Sequence, residues 1–292
     1  MKILICSDGH TSAENAIRFI AKTAAVCSAE VTLLGVVEHP DDQAKLGEAL
    51  RRGAQLLLDK GVHAETVTGK GRPIEQIKQK THEQHYDLVV VGAERKRSSP
   101  FALSTKAYHI IKGIDPAVLV MIGSRAELRR ILVCSRGEPP LARPIELTAA
   151  IARGSRAAMT LLHVLAAPPL LYSDLLESQI NGVDKLLGSD YSLARNLRGE
   201  KEAFEKLEAP VDVKLRSGEV ADELLREARA GDYDLIVTGS TRSSGVIGAY
   251  VMGDVTAAVV DGADCAVLVV RDTPPQTAQN PFFMALRRLF GF

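Results

Sequence analysis

The sequence predicts an α/β protein built from two tandem copies of one five-stranded parallel-sheet domain, with helices on both faces of each sheet. Three observations predict it. Strand-like segments recur in the same order in both halves of the 292-residue chain. Those segments are short, continuous and rich in Val, Ile and Leu, as strands buried on both faces are. Helical patterns separate them, which implies parallel strands joined by right-handed crossovers.

The repeat is read directly from the residues. Lys2-Ile3-Leu4-Ile5-Cys6-Ser7-Asp8-Gly9 matches Arg130-Ile131-Leu132-Val133-Cys134-Ser135-Arg136-Gly137. Tyr86-Asp87-Leu88-Val89-Val90-Val91-Gly92 matches Tyr233-Asp234-Leu235-Ile236-Val237-Thr238-Gly239, and Ala117-Val118-Leu119-Val120 matches Ala266-Val267-Leu268-Val269. The second copy is longer, with its extra residues between its second and third strands. The boundary falls near Gly123–Arg129, giving one domain over 1–124, a second over 129–271, and a linker and tail over 272–292.

In the first copy strands are expected at about 2–7, 31–37, 62–68, 86–92 and 117–122. In the second they are expected at about 130–135, 158–165, 211–216, 233–239 and 266–270. Thr11 with Glu14 three residues later reads as a capping box at a helix start. Ala13, Ile17, Ile20 and Ala24 then share one face of that helix. The last strand of each copy is an apolar edge, and an unpaired apolar edge invites pairing. The two copies are therefore expected to pack through 117–122 and 266–270.

Composition narrows the function. Lys+Arg and Asp+Glu are equal at 36 each, which argues against a general nucleic-acid binder. Cys6, Cys27, Cys134 and Cys265 form no C-x-x-C pair, so neither a zinc ribbon nor a redox centre is expected. Buried thiols fit a reducing compartment, and no leader peptide or membrane span is legible. A cytoplasmic protein is the expectation. His82 and His85 fall on one face near a helix end, but no further ligand lies near them in sequence, and metal binding is not expected. His10 lacks an acid–base partner. Walker, G-x-S-x-G and G-x-G-x-x-G signatures are missing, so no catalytic residue is assigned.

In open parallel sheets ligands bind beyond the C-terminal strand ends, where the strand order reverses. That points to Asp8-Gly9, Val36-Val37 and Gly92–Lys106 in the first copy. It points to Arg136-Gly137, Val164-Leu165 and Gly239–Asp254 in the second. The run Gly239-Ser-Thr-Arg-Ser-Ser-Gly245-Val-Ile-Gly248-Ala-Tyr-Val-Met-Gly253-Asp254 is a glycine-rich loop, read as leading into a helix near Val251. Such loops bring backbone N–H groups to phosphate oxygens, although a plain surface loop has the same composition.

Residues 1–271 resemble the universal stress protein family in a tandem two-domain form. The resemblance rests on Cys6-Ser7-Asp8-Gly9, on the strands ending at Gly92 and Gly239-Ser240, and on the closing strands after Ala117 and Ala266. It implies Rossmann-like sheets of order 3-2-1-4-5 that pair through their final strands. ATP-binding members carry an aspartate after strand one and a loop of the form G-x-x-G, nine residues, then G-[ST]. In the first copy Asp8, Val36 and Gly92 match. The second glycine is Arg95, and the closing pair falls on Ser104-Thr105 or, on strict spacing, Thr105-Lys106. In the second copy Val164, Gly239, Ser240 and Gly253 match, but the aspartate is Arg136, the second glycine is Arg242, and Asp254 replaces the closing Ser/Thr. A carboxylate there opposes a phosphate, whereas Arg95-Lys96-Arg97 could hold one by charge.

The resemblance thus implies a stress-response binding protein, a fused pseudo-dimer with degenerate nucleotide sites, rather than an enzyme. ATP binding through the first copy is one alternative, and ATP hydrolysis is another. The tail is a separate matter. Phe282, Phe283, Phe290 and Phe292 crowd its end, and Phe282, Leu286, Leu289 and Phe290 share a helical face with Arg287 and Arg288 away from it. Such a segment docks on its own domains, on a protein partner or on a membrane surface. Assembly into a homo-oligomer is also open.

Overall fold

The computed structural model describes residues 1–9, 11–93, 105–125, 127–165, 182–242, 250–251 and 253–271. The first copy runs β1 (Lys2–Ser7), α1 (Thr11–Val26), β2 (Glu30–Val37), a 3₁₀ turn (Pro40–Asp42), α2 (Gln43–Leu58), β3 (Ala64–Lys70), α3 (Pro73–Glu83), β4 (Leu88–Gly92), α4 (Thr105–Gly113) and β5 (Ala117–Met121). The second runs β6 (Arg130–Ser135), α5 (Ala142–Ser155), β7 (Ala158–Leu165), α6 (Gly182–Leu187), α7 (Ser192–Lys206), β8 (Val211–Ser217), α8 (Val220–Ala230), β9 (Leu235–Arg242), β10 (Tyr250–Val251), α9 (Asp254–Gly262) and β11 (Ala266–Arg271). The tail, the loop around Gly245 and Gly248, Arg95-Lys96-Arg97 and His10 lie outside the described residues.

The strands form one sheet of order β3-β2-β1-β4-β5-β11-β9-β6-β7-β8, with β10 hydrogen-bonded to β9 off that path. Each copy by itself has the order 3-2-1-4-5, and its strands are parallel. The copies meet where β5 and β11 pair antiparallel, with Val120 opposite Val267, Leu119 opposite Leu268 and Val118 opposite Val269. All six side chains are fully buried.

Strand side chains alternate between faces, so the shared sheet carries a core on each side. One core joins Ile3, Ile5, Leu33, Leu88 and Leu119 of the first copy with Ile131, Val133, Leu235 and Leu268 of the second. The other joins Leu4, Leu34, Val89 and Val118 with Leu132, Leu162, Ile236 and Val267. Neither copy owns a core of its own. On the first face α1 packs against α5 across the seam. Ala13, Ile17, Ile20 and Ala24 of α1 are buried there as their spacing predicts, and Cys27 Sγ lies 3.6 Å from the Ala150 carbonyl, which accepts from it. Gly154 permits the close approach, because a Cβ on it would stand 2.8 Å from Thr23 Cα. Backbone cannot yield as a side-chain tip can, so Gly154→Ala is expected to cost about 1–3 kcal/mol. A thermal melt indistinguishable from the parent's would contradict this contact.

The repeated Tyr-Asp pairs act at the opposite end of the strands from the expected site. Lys2 N–H donates to Asp87 Oδ2 at 2.8 Å, and Arg130 N–H donates to Asp234 Oδ2 at 3.0 Å. Tyr86 donates to Thr32 Oγ1 at 3.2 Å, and Tyr233 donates to Thr160 Oγ1 at 2.8 Å. In both copies the pair ties strand four to strands one and two.

Two buried carboxylates link this network to pH. Burial alone pushes the Asp87 carboxyl up, but the hydrogen bonds from His85 and the Lys2 N–H, with the charges nearby, outweigh it and hold Asp87 below its ordinary value. Burial likewise raises Glu227, and Lys214 and Arg216 overcome it and lower the group. A lowered folded value gives stability that is present above the unfolded pKa of about 4 and lost as pH falls through the folded one. Glu227→Gln is therefore expected to flatten the acid limb of stability. Urea melts between about pH 3 and pH 6 measure it, and an unchanged slope refutes the assignment.

Thr11 is the first residue of α1, and Glu14 accepts from Arg18 at 2.7 Å. Two local expectations need correction. The helix expected near Val251 starts at Asp254, because Tyr250–Val251 pairs antiparallel with Arg242 and Thr241 of β9. His85 lies beyond α3 and bonds Asp87 at 3.2 Å, so it does not share a helical face with His82.

Candidate functional site

The turn after the first strand is built identically in both copies. Ser7 Oγ accepts the Gly9 N–H at 3.3 Å, and Ser135 Oγ accepts the Gly137 N–H at 3.1 Å. Gly9 and Gly137 have φ of 80° and 71°, which favours glycine. This turn holds the intervening residue, Asp8 or Arg136, at the C-terminal end of the strand. Both residues are exposed.

In the first copy β1 lies between β2 and β4. Ser7 is opposite Gly35, and Cys6 is opposite Val91. One step further along, Asp8 is level with Val36 on one side and follows the level of Gly92 on the other. The structure thus brings Asp8, Val36 and Gly92 to one crevice mouth. Val36 is buried and Gly92 half-buried. Thr105 is the first residue of α4, and Arg95 lies outside the described residues.

In the second copy β6 lies between β7 and β9 in the same way. Val164, which is buried, and the backbone of Gly239 and Ser240 flank Arg136 by register. Gly253 is the N-cap of α9, and Asp254 occupies the first turn. A carboxylate at a helix N-terminus already answers the partial positive charge that a phosphate would use.

The chemistry of this second crevice differs from the first. Arg136 is held by Glu138 at 2.8 Å. Ser135 Oγ donates to Glu200 Oε2 of α7 at 2.6 Å. His163, where the first copy has Gly35, places Nδ1 at 3.1 Å from the Ser135 carbonyl. A carbonyl only accepts, so Nδ1 carries the hydrogen. Burial pushes the His163 pKa down, against that hydrogen bond, which favours the neutral ring. Asn196 donates to the Gly137 carbonyl at 2.8 Å. Burial raises the Glu200 carboxyl, with Ser135 and Arg136 partly offsetting it. Glu200, His163 and Asn196 escape a reading of the strand ends alone. A signal for Glu200 existed: setting α2 against α7 with Leu46 on Leu193 and Leu50 on Leu197 places it on Gly53.

Burial pushes the Cys6 thiol up to about 12 and raises Cys134 further, so neither is a nucleophile at neutral pH. Among the described residues no group of three His, Cys, Asp or Glu side chains stands together as a metal site, and no helix is long and apolar enough to cross a membrane.

Solved structures share this architecture over nearly the whole chain. A universal stress protein from Archaeoglobus fulgidus matches with a TM-score of 0.66 at 16% identity, over 93% of this chain and 98% of its own. A functionally unknown protein from Pseudomonas aeruginosa matches with a TM-score of 0.68 at 16% identity, over 99% of this chain and 96% of its own. At these identities the likeness speaks for the fold. No curated protein matches the chain in sequence. The profile of the universal stress protein family matches twice, over residues 1–107 and 127–271. With that double match laid over the repeated sheet order and the repeated serine-glycine turn, the chain belongs to the universal stress protein family.

Proposed function

We propose that this chain is a stress-response binding protein, a fused pseudo-dimer acting by occupancy rather than turnover, in which any nucleotide binds the first copy and the second copy is degenerate toward nucleotide. The observation that carries this reading is the difference between the two crevices on one shared turn. The first presents an exposed carboxylate, Asp8, level with Val36 and beside Gly92. A carboxylate accepts a hydrogen bond from ribose or adenine, and a guanidinium cannot. The second presents Arg136 tied to Glu138, with Glu200 bonded to the serine of the turn and Asp254 at the helix N-terminus. The antiparallel seam supports the pseudo-dimer, because it places the two copies in one sheet as two-fold-related partners are.

Asp8→Ala is expected to weaken ATP binding by about 1–3 kcal/mol, the loss of one charge-assisted hydrogen bond. Titration calorimetry on the parent and the variant measures it. Unchanged affinity in the variant refutes the placement at Asp8. Failure of the parent to bind millimolar ATP leaves both copies degenerate and moves the function to a protein partner.

A further inference from the structure

We infer that the second copy has turned its nucleotide end into a pocket for a small organic amine, a molecule with a compact apolar body and a primary ammonium head. A cavity of about 70 Å³ opens between α5, α7 and the ends of β6, β9 and β11. That is roughly five times the space one water requires. Its deep end is buried: Val133, Thr148, Phe204 and Val270 line it. Exposed Arg136 and Glu138 line the other end, and half-buried Glu200 lies along it.

Comparison of the copies shows how the space arose. The shared turns fix the correspondence: left-handed Ser28 matches left-handed Arg156, Gly61 matches Glu208, and Gly71 matches Gly218. On that alignment the first copy carries Ile5, Ile20 and Met121, all fully buried, where the second carries Val133, Thr148 and Val270. Each exchange removes or shortens an apolar branch. Phe204 in place of Leu57 returns part of the volume, and a cavity remains. Two exchanges add polarity at the same place, Ile20 to Thr148 and Gly53 to Glu200.

The polarity selects the ligand. Thr148 is 1% exposed, and its Oγ1 has no hydrogen-bond partner. A buried hydroxyl left unpaired is costly, so it calls for an occupant. Glu200 has one oxygen taken by the Ser135 hydroxyl and is partly desolvated, which makes it a strong acceptor for a cation. The Arg136 guanidinium at the mouth is paired with Glu138 and reaches Glu200 only through its charge, with no ion pair between them. The lining therefore offers acceptors and a hydroxyl over an apolar floor. An ammonium answers the carboxylate, whereas a carboxylate or phosphate ligand meets Glu200 and Glu138 with like charge.

Methyl NMR of the full chain, titrated with n-butylammonium, 1-butanol and butyrate, tests this. Butylammonium is expected to shift the Val133, Thr148 and Val270 methyl signals saturably, and butyrate is expected not to. Glu200→Gln keeps the shape and removes the charge. It is expected to weaken butylammonium by roughly tenfold or more, while leaving 1-butanol unchanged. Thr148→Ile restores the first copy's side chain and is expected to fill the pocket and abolish binding. If butylammonium moves no methyl of this set saturably, or binds Glu200→Gln as tightly as the parent, the pocket is a solvent space and the proposal falls. The ATP titration reports on Asp8 in the other copy, so either result stands without the other.

Discussion

Leu268→Lys is expected to prevent the chain from reaching its native fold. Leu268 sits on β11 opposite Leu119 of β5, fully buried at the centre of the sheet and covered on both faces. An ammonium there has no acceptor and no path to water, and the lost packing adds to its desolvation. Together these exceed about 4 kcal/mol, which is a large share of the stability of an ordinary domain. Because the cores run through the seam, the damage does not stay in one copy. Each half cut at the seam would expose an apolar edge strand and half of two cores, so aggregation is the expected fate. The milder Leu268→Ala keeps the chain soluble and is expected to cost about 2–5 kcal/mol. Denaturant melts of that variant, followed by probes in each copy, should show one coincident transition. Two separate transitions, or a soluble and normally melting Leu268→Lys protein, would show that the copies are independent and the seam incidental.

The second large effect is expected at Asp234. Its carboxylate accepts the Arg129 N–H at 2.8 Å and the Arg130 N–H at 3.0 Å through Oδ2, and Arg125 at 2.7 Å through Oδ1. Arg130 begins β6, Arg129 immediately precedes it, and Arg125 lies in the segment joining the copies. One side chain thus fixes where the second copy starts. Asp234→Ala leaves two backbone donors without their acceptor and is expected to cost about 3 kcal/mol. Arg125→Ala removes a partner that is partly exposed and can be replaced by water, so it is expected to cost much less. Parallel denaturant melts separate the two. Equal losses would mean that the ion pair, not the backbone contact, holds the junction.

Much of the fold is written locally. A strand buried on both faces needs an unbroken apolar run, and Ile3–Ile5, Val89–Val91 and Val267–Val269 could hardly be anything else. The repeat exposes itself because both copies solve the same local problems with the same residues. A serine and a glycine make the turn after strand one, and a tyrosine and an aspartate tie strand four to its neighbours. Asp8, Val36 and Gly92 could be named in advance because parallel topology puts strand ends together whatever lies between them. Local pattern fails where a distant segment competes. Glycine spacing suggested a helix near Val251, but backbone pairing with β9 claims Tyr250–Val251.

The sequence by itself determined the two-copy α/β plan, the strand positions and the residues at the strand ends, since these follow from period, turn chemistry and repetition. Only the tertiary structure decided that the cores are continuous across the seam, that Glu200 reaches Ser135, and that Thr148 faces a cavity. Those facts depend on which side chains from segments far apart in the chain arrive at one point, and on whether their volumes fill the space between them. No periodicity along the chain encodes that.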